Sequence, residues 1–305
     1  MKNKNKLPFT WAEPGFELFL RSRVLPINGG KVKMVTNFNQ SFNNVITSDL
    51  AEVTLTEAIS IDLSNIAKKP DLLETAATLQ AFQTYRLSLY DLLADNHIER
   101  FGKPTVLGKY GQKAIKETIN LYGLWVLSLS KELEKKGIPK ARRFAEKQYK
   151  DTLKADQFRN SFRSQMPSPK QAMKMQRELA GKDGQIMAYL TGANKIIGEA
   201  TACLIDALTT LEDLMGVIDL EDFDKPKATI PLAFFYQEKS HLIKPTNSRK
   251  IIDQTRVVTR TRSYINGMLQ KAEGPILDYQ IEGPVLARIF QQVSKFNEVF
   301  PENYI

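Results

Sequence analysis

Apolar residues recur at spacings of three and four across residues 183–215, and this periodicity constrains the fold more than any other feature of the sequence. Such spacing predicts an amphipathic α-helix with one continuous buried face. Gly216 follows the last apolar position and predicts the end of that helix. A buried helix of this length is expected to gather other helices around it. Its apolar positions are Ile186, Leu190, Ala193, Ile197, Ala200, Leu204, Leu208, Leu211 and Met215.

Helical signals dominate most of the chain after residue 70. Ser168 is placed as an N-cap, Pro169 as a first-turn residue, and Gln171 as the partner that completes a capping box. Apolar spacing predicts the other helices of this part of the chain. The predicted helices are 71–94, 112–136, 140–163, 168–180, 248–271 and 284–300.

The N-terminal region carries signals for β structure. Residues 53–63 alternate between apolar and polar types, with Glu57 as the one break, and this period favours a half-buried strand. A helix beginning at Ser48-Asp49 is the alternative for the same segment. The turn at Asn28-Gly29-Gly30 predicts a hairpin between strands 19–25 and 31–36.

Short strands are also predicted near the C-terminus. Residues 229–236 are predicted to form one strand, and two Gly-Pro turns stand nine residues apart at 274–275 and 283–284. We expect a short strand to follow the first turn and the final helix to follow the second turn. The predicted fold class is therefore mainly α: a helical bundle-like core, a small β-containing N-terminal region, and one or two short strands near the C-terminus.

Three consecutive regions are predicted along the 305 residues, of which 42% are hydrophobic. They are an N-terminal arm and hairpin region at 1–68, a helical core at 69–216 with a basic segment at 131–182, and a mixed region at 217–305. No apolar run resembles a signal peptide or a membrane span. We therefore expect a location in the cytoplasm or within a virion or another assembly, with no secretion by a signal peptide and no membrane partner.

Charge is segregated along the chain, whose net charge is +9. Residues 131–182 contain 15 basic and 6 acidic side chains, and residues 241–262 contain 6 basic side chains and one acidic. Residues 205–224 contain 7 carboxylates and no basic residue. Blocks of one sign favour contact with an oppositely charged partner, either a polyanion or another protein surface.

The basic blocks suggest a surface that binds nucleic acid. If residues 140–163 are helical, their cations recur one turn apart beside an apolar stripe, and a second basic helix facing them would complete a groove. Rows of cations suit a phosphate backbone, and aromatic rings can stack on unpaired bases. Solvated surface or pairing between subunits is an equally weighted alternative. The predicted nucleic-acid-binding residues are Lys140, Arg143, Lys147, Lys150, Lys154, Arg159, Arg163, Arg249, Arg256 and Arg260, with Phe158 and Phe162 as stacking groups.

Signatures of catalysis are sparse. The lone Cys203 lies in an apolar helix pattern and is expected to be a small core residue. His97 and His241 are expected to lie at the surface or to cap a helix. No P-loop, dinucleotide-binding or nucleophile-elbow motif is present, and no cofactor is predicted. The acidic group Asp219, Glu221, Asp222 and Asp224 could hold a metal, although a solvated acidic loop is favoured.

These patterns lead to a ranked set of functional hypotheses. The preferred one is a non-enzymatic, nucleocapsid-like protein that coats RNA or single strands without sequence specificity and self-associates into a ring or filament. The second is a structural subunit of a virion or filament with no nucleic-acid contact. The third is a metal-dependent enzyme that uses the carboxylates near Asp219.

Overall fold

The computed structural model describes residues 16–24, 31, 54–100, 103–161, 166–218, 223, 228–238 and 255–299. These residues are predominantly helical, which confirms the predicted mainly α class. Strand structure within them is one antiparallel ladder between β1 (Glu99–Arg100) and β2 (Lys103–Pro104). None of the described helices is both long enough and apolar enough to span a membrane.

Eleven α-helices and one π-helix are found among the described residues. A π-helix, Arg177–Gly181, joins α6 directly to α7. The α-helices are α1 (Phe16–Val24), α2 (Leu55–Ile66), α3 (Pro70–Ala94), α4 (Val106–Lys135), α5 (Ala141–Ser161), α6 (Pro169–Gln176), α7 (Lys182–Leu190), α8 (Lys195–Ile218), α9 (Ile230–Glu238), α10 (Val257–Asp278) and α11 (Pro284–Val299).

The chain divides into two compact units. The N-terminal unit contains the described residues within 17–149 and 187–193, and the C-terminal unit contains Phe16 and those within 150–186 and 194–305. In the N-terminal unit α3 packs between α2 and α4. In the C-terminal unit α8 is central and contacts α9, α10, α11 and the π-helix. The helical periodicity of residues 183–215 therefore marks a core element, which is α8.

Residues 55–63 of the segment predicted as a strand at 53–63 are helical, so that prediction is wrong. Thr54 is the N-cap of α2, and its hydroxyl accepts a hydrogen bond of 3.1 Å from the backbone N–H of Glu57. The alternating polar residues do not face solvent: Ser60 and Asp62 are fully buried. Ser60 donates to the carbonyl of Thr56, and Asp62 lies 3.7 Å from Arg23. Because both faces of the segment are buried, the alternation of apolar and polar residues does not indicate a half-buried strand.

The predicted strand at 229–236 is also a helix, α9. Residues 230–235 are all buried, so this helix is apolar all round and its sequence carries no helical period. Thr229 begins it by accepting a hydrogen bond of 3.4 Å from the N–H of Leu232. A short apolar run of this kind does not distinguish a buried helix from a buried strand.

The single helix predicted across 183–215 is two helices, α7 and α8. Gly192 has a φ of 77° in the turn between them, a left-handed conformation that glycine adopts without strain. The side-chain oxygen of Asn194 then accepts a hydrogen bond of 2.9 Å from the N–H of Ile197, which starts α8. The apolar spacing continues through the turn, so periodicity alone does not reveal the break at Gly192.

Several other helix boundaries lie close to those predicted from the sequence. The helix predicted at 71–94 is α3, and the capping box of Ser168 and Gln171 is present at the start of α6. Gly111 interrupts α4 with a φ of 79° and a ψ of 166°, immediately before the predicted start at residue 112. The final predicted helix is α11.

The remaining β predictions are wrong where the structure tests them. The first strand of the predicted hairpin, 19–25, lies mostly in helix α1. The strand expected after the first Gly-Pro turn is absent from the described residues, because α10 continues through Pro275 to Asp278. The hairpin turn at Asn28-Gly29-Gly30 and residues 32–36 lie outside the described residues.

Candidate functional site

The basic stripe predicted on α5 is present on the surface. All five of its cations, from Lys140 to Lys154, are exposed, while Ala141 and Ala145 are fully buried. The helix therefore presents one cationic face and packs with the adjacent apolar face, as its spacing predicted. These exposed residues are Lys140, Arg143, Lys147, Lys150 and Lys154.

Of the second basic block the structure describes Arg256, which is exposed, and Arg260 and Arg262, which are half-buried. Arg260 lies 3.4 Å from Glu238 and 4.1 Å above the ring of Phe234. The backbone N–H of Arg256 donates a hydrogen bond of 2.9 Å to the other carboxylate oxygen of Glu238. A carboxylate of the same unit therefore neutralises Arg260, which the groove hypothesis required to be available.

Other predicted residues are not tested by the structure. Phe158 and Arg159 lie within α5, but their side chains are not among those described. Phe162, Arg163, Arg249, His241 and the acidic group Asp219, Glu221, Asp222 and Asp224 lie outside the described residues.

Lys154 belongs to a cleft of about 500 Å³ in the C-terminal unit, which we call the lysine cleft. It is formed by one face of α5, the helix α6, the π-helix and the first residue of α7. Its volume is within the range of small-molecule sites. Its lining residues are Asp151, Lys154, Ala155, Gln171, Lys174, Met175, Glu178 and Lys182.

Local sequence signals place the lysines of this cleft. The capping box fixes the start of α6: the N–H and hydroxyl of Ser168 donate to Oε1 of Gln171 at 3.0 and 2.8 Å. From that start Lys174 is exposed while Met175 is buried. The π-helix that follows brings Glu178 and Lys182 to the same cleft. Elements of this kind occur often at functional sites.

Positive charge is only partly compensated within the lysine cleft. Lys182 lies 3.8 Å from Asp151. Among the described carboxylates none lies within ion-pairing distance of Lys154 or Lys174. Two lysines of the cleft are therefore available for an anionic ligand, while Ala155 and Met175 supply apolar surface.

The other candidates from the sequence take minor positions. Cys203 is only partly buried, and burial raises the pKa of its thiol, which disfavours the reactive thiolate. His97 follows α3, and its carbonyl accepts a hydrogen bond of 2.6 Å from Thr105. Across the described part of the chain, no three residues among His, Cys, Asp and Glu gather as metal ligands.

Sequence reasoning did not select most of the cleft residues. Lys174, Glu178 and Lys182 were counted only as part of the charged segment 131–182, whereas Lys154 was selected as a phosphate contact. The capping box and the proximity of two basic segments were the available signals. The π-helix that brings these segments together has no signal in the sequence.

The architecture resembles solved enzymes although no protein-family model and no curated protein matches the sequence. A geranylgeranyl pyrophosphate synthase superposes with a TM-score of 0.71 and 15% identity over 91% of this chain and 97% of its own. The heptaprenyl diphosphate synthase of Staphylococcus aureus gives 0.70 and 12% identity over 92% and 99%. The chain has the all-α fold of isoprenyl synthases.

A polyprenyl synthase from Caulobacter crescentus CB15, whose structure contains calcium and isoprenyl diphosphate, has a TM-score of 0.66 and 16% identity over 90% of this chain and 96% of its own. This similarity overturns the hypothesis of a non-enzymatic, nucleocapsid-like protein that contacts RNA and forms rings or filaments. It gives no support to a virion subunit. The cationic face of α5 is present on the surface, whereas nucleic acid as the partner of the chain is contradicted by this similarity.

Proposed function

We propose that this chain is an enzyme that binds isoprenyl diphosphates and transfers prenyl groups. The observation that carries the proposal is the extent of the fold similarity, since 90–92% of the chain superposes on nearly the whole length of the three synthases described above. The lysine cleft supports it, because an isoprenyl diphosphate is an anionic group on an apolar chain.

The head group of such a substrate suits the lysines of the cleft. Diphosphate oxygens accept charge-assisted hydrogen bonds, which are about twice as strong as neutral ones. Lys154 and Lys174 supply cations without a described carboxylate partner, and Lys182 can exchange Asp151 for phosphate oxygens. We assign these three lysines to the diphosphate and the apolar surface of Ala155 and Met175 to the first carbons of the prenyl chain.

A divalent cation fits the same site when the substrate contributes ligands. Magnesium is commonly held by one or two carboxylates together with substrate phosphates, and the cleft contains Asp151 and Glu178. A metal site built from protein ligands alone is not supported, because no three His, Cys, Asp or Glu side chains gather among the described residues. Such an ion would add positive charge next to the diphosphate.

The proposed reaction breaks the carbon–oxygen bond of one isoprenyl diphosphate and releases inorganic diphosphate. A carbon–carbon bond forms to the double bond of a second isoprenyl diphosphate, which then loses a proton. Negative charge grows on the leaving diphosphate as its bond to carbon breaks. In this proposal the ammonium groups of Lys154, Lys174 and Lys182, which line the cleft, stabilise that charge, and such electrostatic stabilisation is often the largest contribution to catalysis.

Formation of a longer prenyl diphosphate tests the proposal. The purified protein is incubated with magnesium, geranyl diphosphate and isopentenyl diphosphate, and the prenyl product is identified by mass spectrometry. We expect product formation, and we expect Lys154→Met, Lys174→Met and Lys182→Met each to lower kcat/KM by about tenfold or more.

Lys116→Met is the matched control, because Lys116 is an exposed lysine of α4 in the N-terminal unit. This control is expected to retain full activity. The proposal fails if no prenyl product forms. Its assignment to the lysine cleft fails if the three cleft variants are as active as Lys116→Met.

A further inference from the structure

The C-terminal unit contains a second cavity of about 440 Å³, which we call the α8 cavity and which shares no lining residue with the lysine cleft. It is bounded by the π-helix, α7, the first half of α8 and the end of α10. Arg177, Gln185 and Lys271 form an exposed rim, whereas Ala202 and Met268 are buried at the base. A volume of this size suits a small molecule.

Two cations from separate elements converge on this cavity. Arg177 of the π-helix and Lys271 of α10 both favour the charged form of the Cys203 thiol, although burial still raises the pKa of that group. Among the described residues, no carboxylate lies within ion-pairing distance of either cation. Their charges are therefore available to an anionic ligand.

The carboxylates of the cavity are already engaged. Glu199 forms an ion pair of 3.3 Å with Lys195, one turn earlier on α8. Asp206 accepts a hydrogen bond of 2.8 Å from the hydroxyl of Tyr264. These contacts leave the two cations of the rim as the charged groups that a ligand can pair with.

The remaining wall of the cavity is apolar. Ile196 lies at its edge with 65% of its surface exposed, and Met268 and Pro275 line it from α10. An exposed isoleucine beside a cavity gains free energy when an apolar group covers it. The ligand that fits this wall carries a hydrocarbon chain as well as a negative charge.

The shape of the cavity is held by close packing at its base. A Cβ atom added to Gly184 would lie 2.5 Å from the backbone nitrogen of Ala202, so α7 and α8 approach closely there. The π-helix also shapes the cavity, because both Arg177 and Gly181 belong to it and line the cavity. π-helical turns are rare and are found frequently at functional sites.

We propose that the α8 cavity is a binding site for an amphiphilic anion, in which a carboxylate or phosphate group pairs with Arg177 and Lys271 and a hydrocarbon chain covers Ile196, Met268 and Pro275. The site is separate from the lysine cleft, so this inference goes beyond the proposed prenyl transfer and does not depend on it.

Cys203 provides a direct readout, because it is the only cysteine of the chain and it lines the cavity. The rate of its alkylation by iodoacetamide is measured with decanoate, decyl phosphate or inorganic phosphate, each amphiphile below its critical micelle concentration. Calorimetric titration with the same three compounds gives the dissociation constants. We expect at least one amphiphile to bind and to slow alkylation. Whichever of decanoate and decyl phosphate binds more tightly shows whether the site prefers a carboxylate or a phosphate head group.

Charge-removing variants test whether the two cations hold the ligand. Arg177→Met and Lys271→Met are each expected to raise the dissociation constant of the amphiphile by about tenfold or more, since each removes a charge-assisted contact. Lys116→Met on α4 is the matched control and is expected to leave binding unchanged. The inference is overturned if neither amphiphile binds, if inorganic phosphate binds as tightly as decyl phosphate, or if both cavity variants bind as the control does.

Discussion

The hydroxyl of Tyr264 donates a hydrogen bond of 2.8 Å to Oδ2 of Asp206, and this bond joins α10 to the central helix α8. Asp206 is 1% exposed, and burial raises its pKa to about 6. Burial raises the pKa of Tyr264 most, and the negative charge of Asp206 raises it further. The phenol therefore keeps its proton and remains a donor. The carboxyl group consequently holds its proton more tightly in the folded chain than in the unfolded one.

The first prediction concerns the pH dependence of stability. Because the pKa of Asp206 is raised on folding, its stabilising contribution is complete below its ordinary pKa of 3.8 and is lost as the pH rises through about 6. Two pKa units correspond to roughly 3 kcal/mol. Asp206→Asn is expected to remove this loss of stability at high pH. In urea denaturation the variant should be more stable relative to the parent at about pH 8, and should show no such gain at about pH 4. Equal pH profiles for the two proteins would contradict the prediction.

Tyr264→Phe provides the complementary variant. Above pH 6 the buried carboxylate of Asp206 loses its 2.8 Å donor, which is expected to cost about 1–3 kcal/mol in the free energy of unfolding. Combining Tyr264→Phe with Asp206→Asn should cost less than Tyr264→Phe alone at that pH, because no buried charge is left unpaired. A double-mutant cycle measures this coupling, and additive effects would argue against it.

The second prediction concerns a buried ion pair in the N-terminal unit. The ammonium group of Lys31 lies 2.6 Å from Glu57, and both side chains are almost completely buried. Burial raises the pKa of Glu57, and Lys31 opposes that shift. Lys31→Met leaves a buried carboxylate unpaired and is expected to destabilise the chain by about 3–5 kcal/mol.

The penalty of Lys31→Met should be larger at about pH 8 than at about pH 5, since the pKa of Glu57 rises further when the lysine is removed. Lys31→Met combined with Glu57→Gln should recover part of the stability, because no charge is then buried. Chemical denaturation of the three proteins at both pH values measures this. A double variant no more stable than Lys31→Met would refute the ion-pair explanation.

The third prediction compares two glycines of different backbone conformation. Gly111 kinks α4 with a φ of 79° and a ψ of 166°, a region that side chains other than glycine rarely adopt. Gly111→Ala is expected to destabilise by about 1–3 kcal/mol. Gly267 lies in the regular helix α10 with no atom within 4 Å of an added Cβ, so Gly267→Ala should stabilise by about 0.5–1 kcal/mol. Thermal denaturation should show Tm shifts of opposite sign, and shifts of the same sign would contradict this explanation.

The sequence predicts helices best where local spacing and capping chemistry carry the signal. The capping box at Ser168 is present as predicted, and the helix at 71–94 follows its leucine spacing although residues 75–83 are buried on every side. Residues 53–63 mislead because Ser60 and Asp62 are both buried, Ser60 as a donor to the carbonyl of Thr56 in its own helix and Asp62 beside a residue far along the chain. The partner of Asp62 is Arg23, and no local pattern indicates that contact.

The candidate site was only partly predictable for a related reason. A row of exposed cations on α5 indicates affinity for phosphate, and Lys154 was identified on that basis. Charge spacing along one helix does not distinguish a polynucleotide from a diphosphate, since both present the same oxygens. The distinction rests on the fold similarity, and the proposed site follows from the cleft in which Lys174 and Lys182 join Lys154.

The position of bound diphosphate tests the central claim most directly. A crystal structure of the protein with magnesium and an unreactive thio analogue of geranyl diphosphate would show the head group in electron density. The account predicts phosphate oxygens within hydrogen-bonding distance of the ammonium groups of Lys154, Lys174 and Lys182, with the first prenyl carbons against Met175. Diphosphate density elsewhere, with the lysine cleft unoccupied by the analogue, would contradict it.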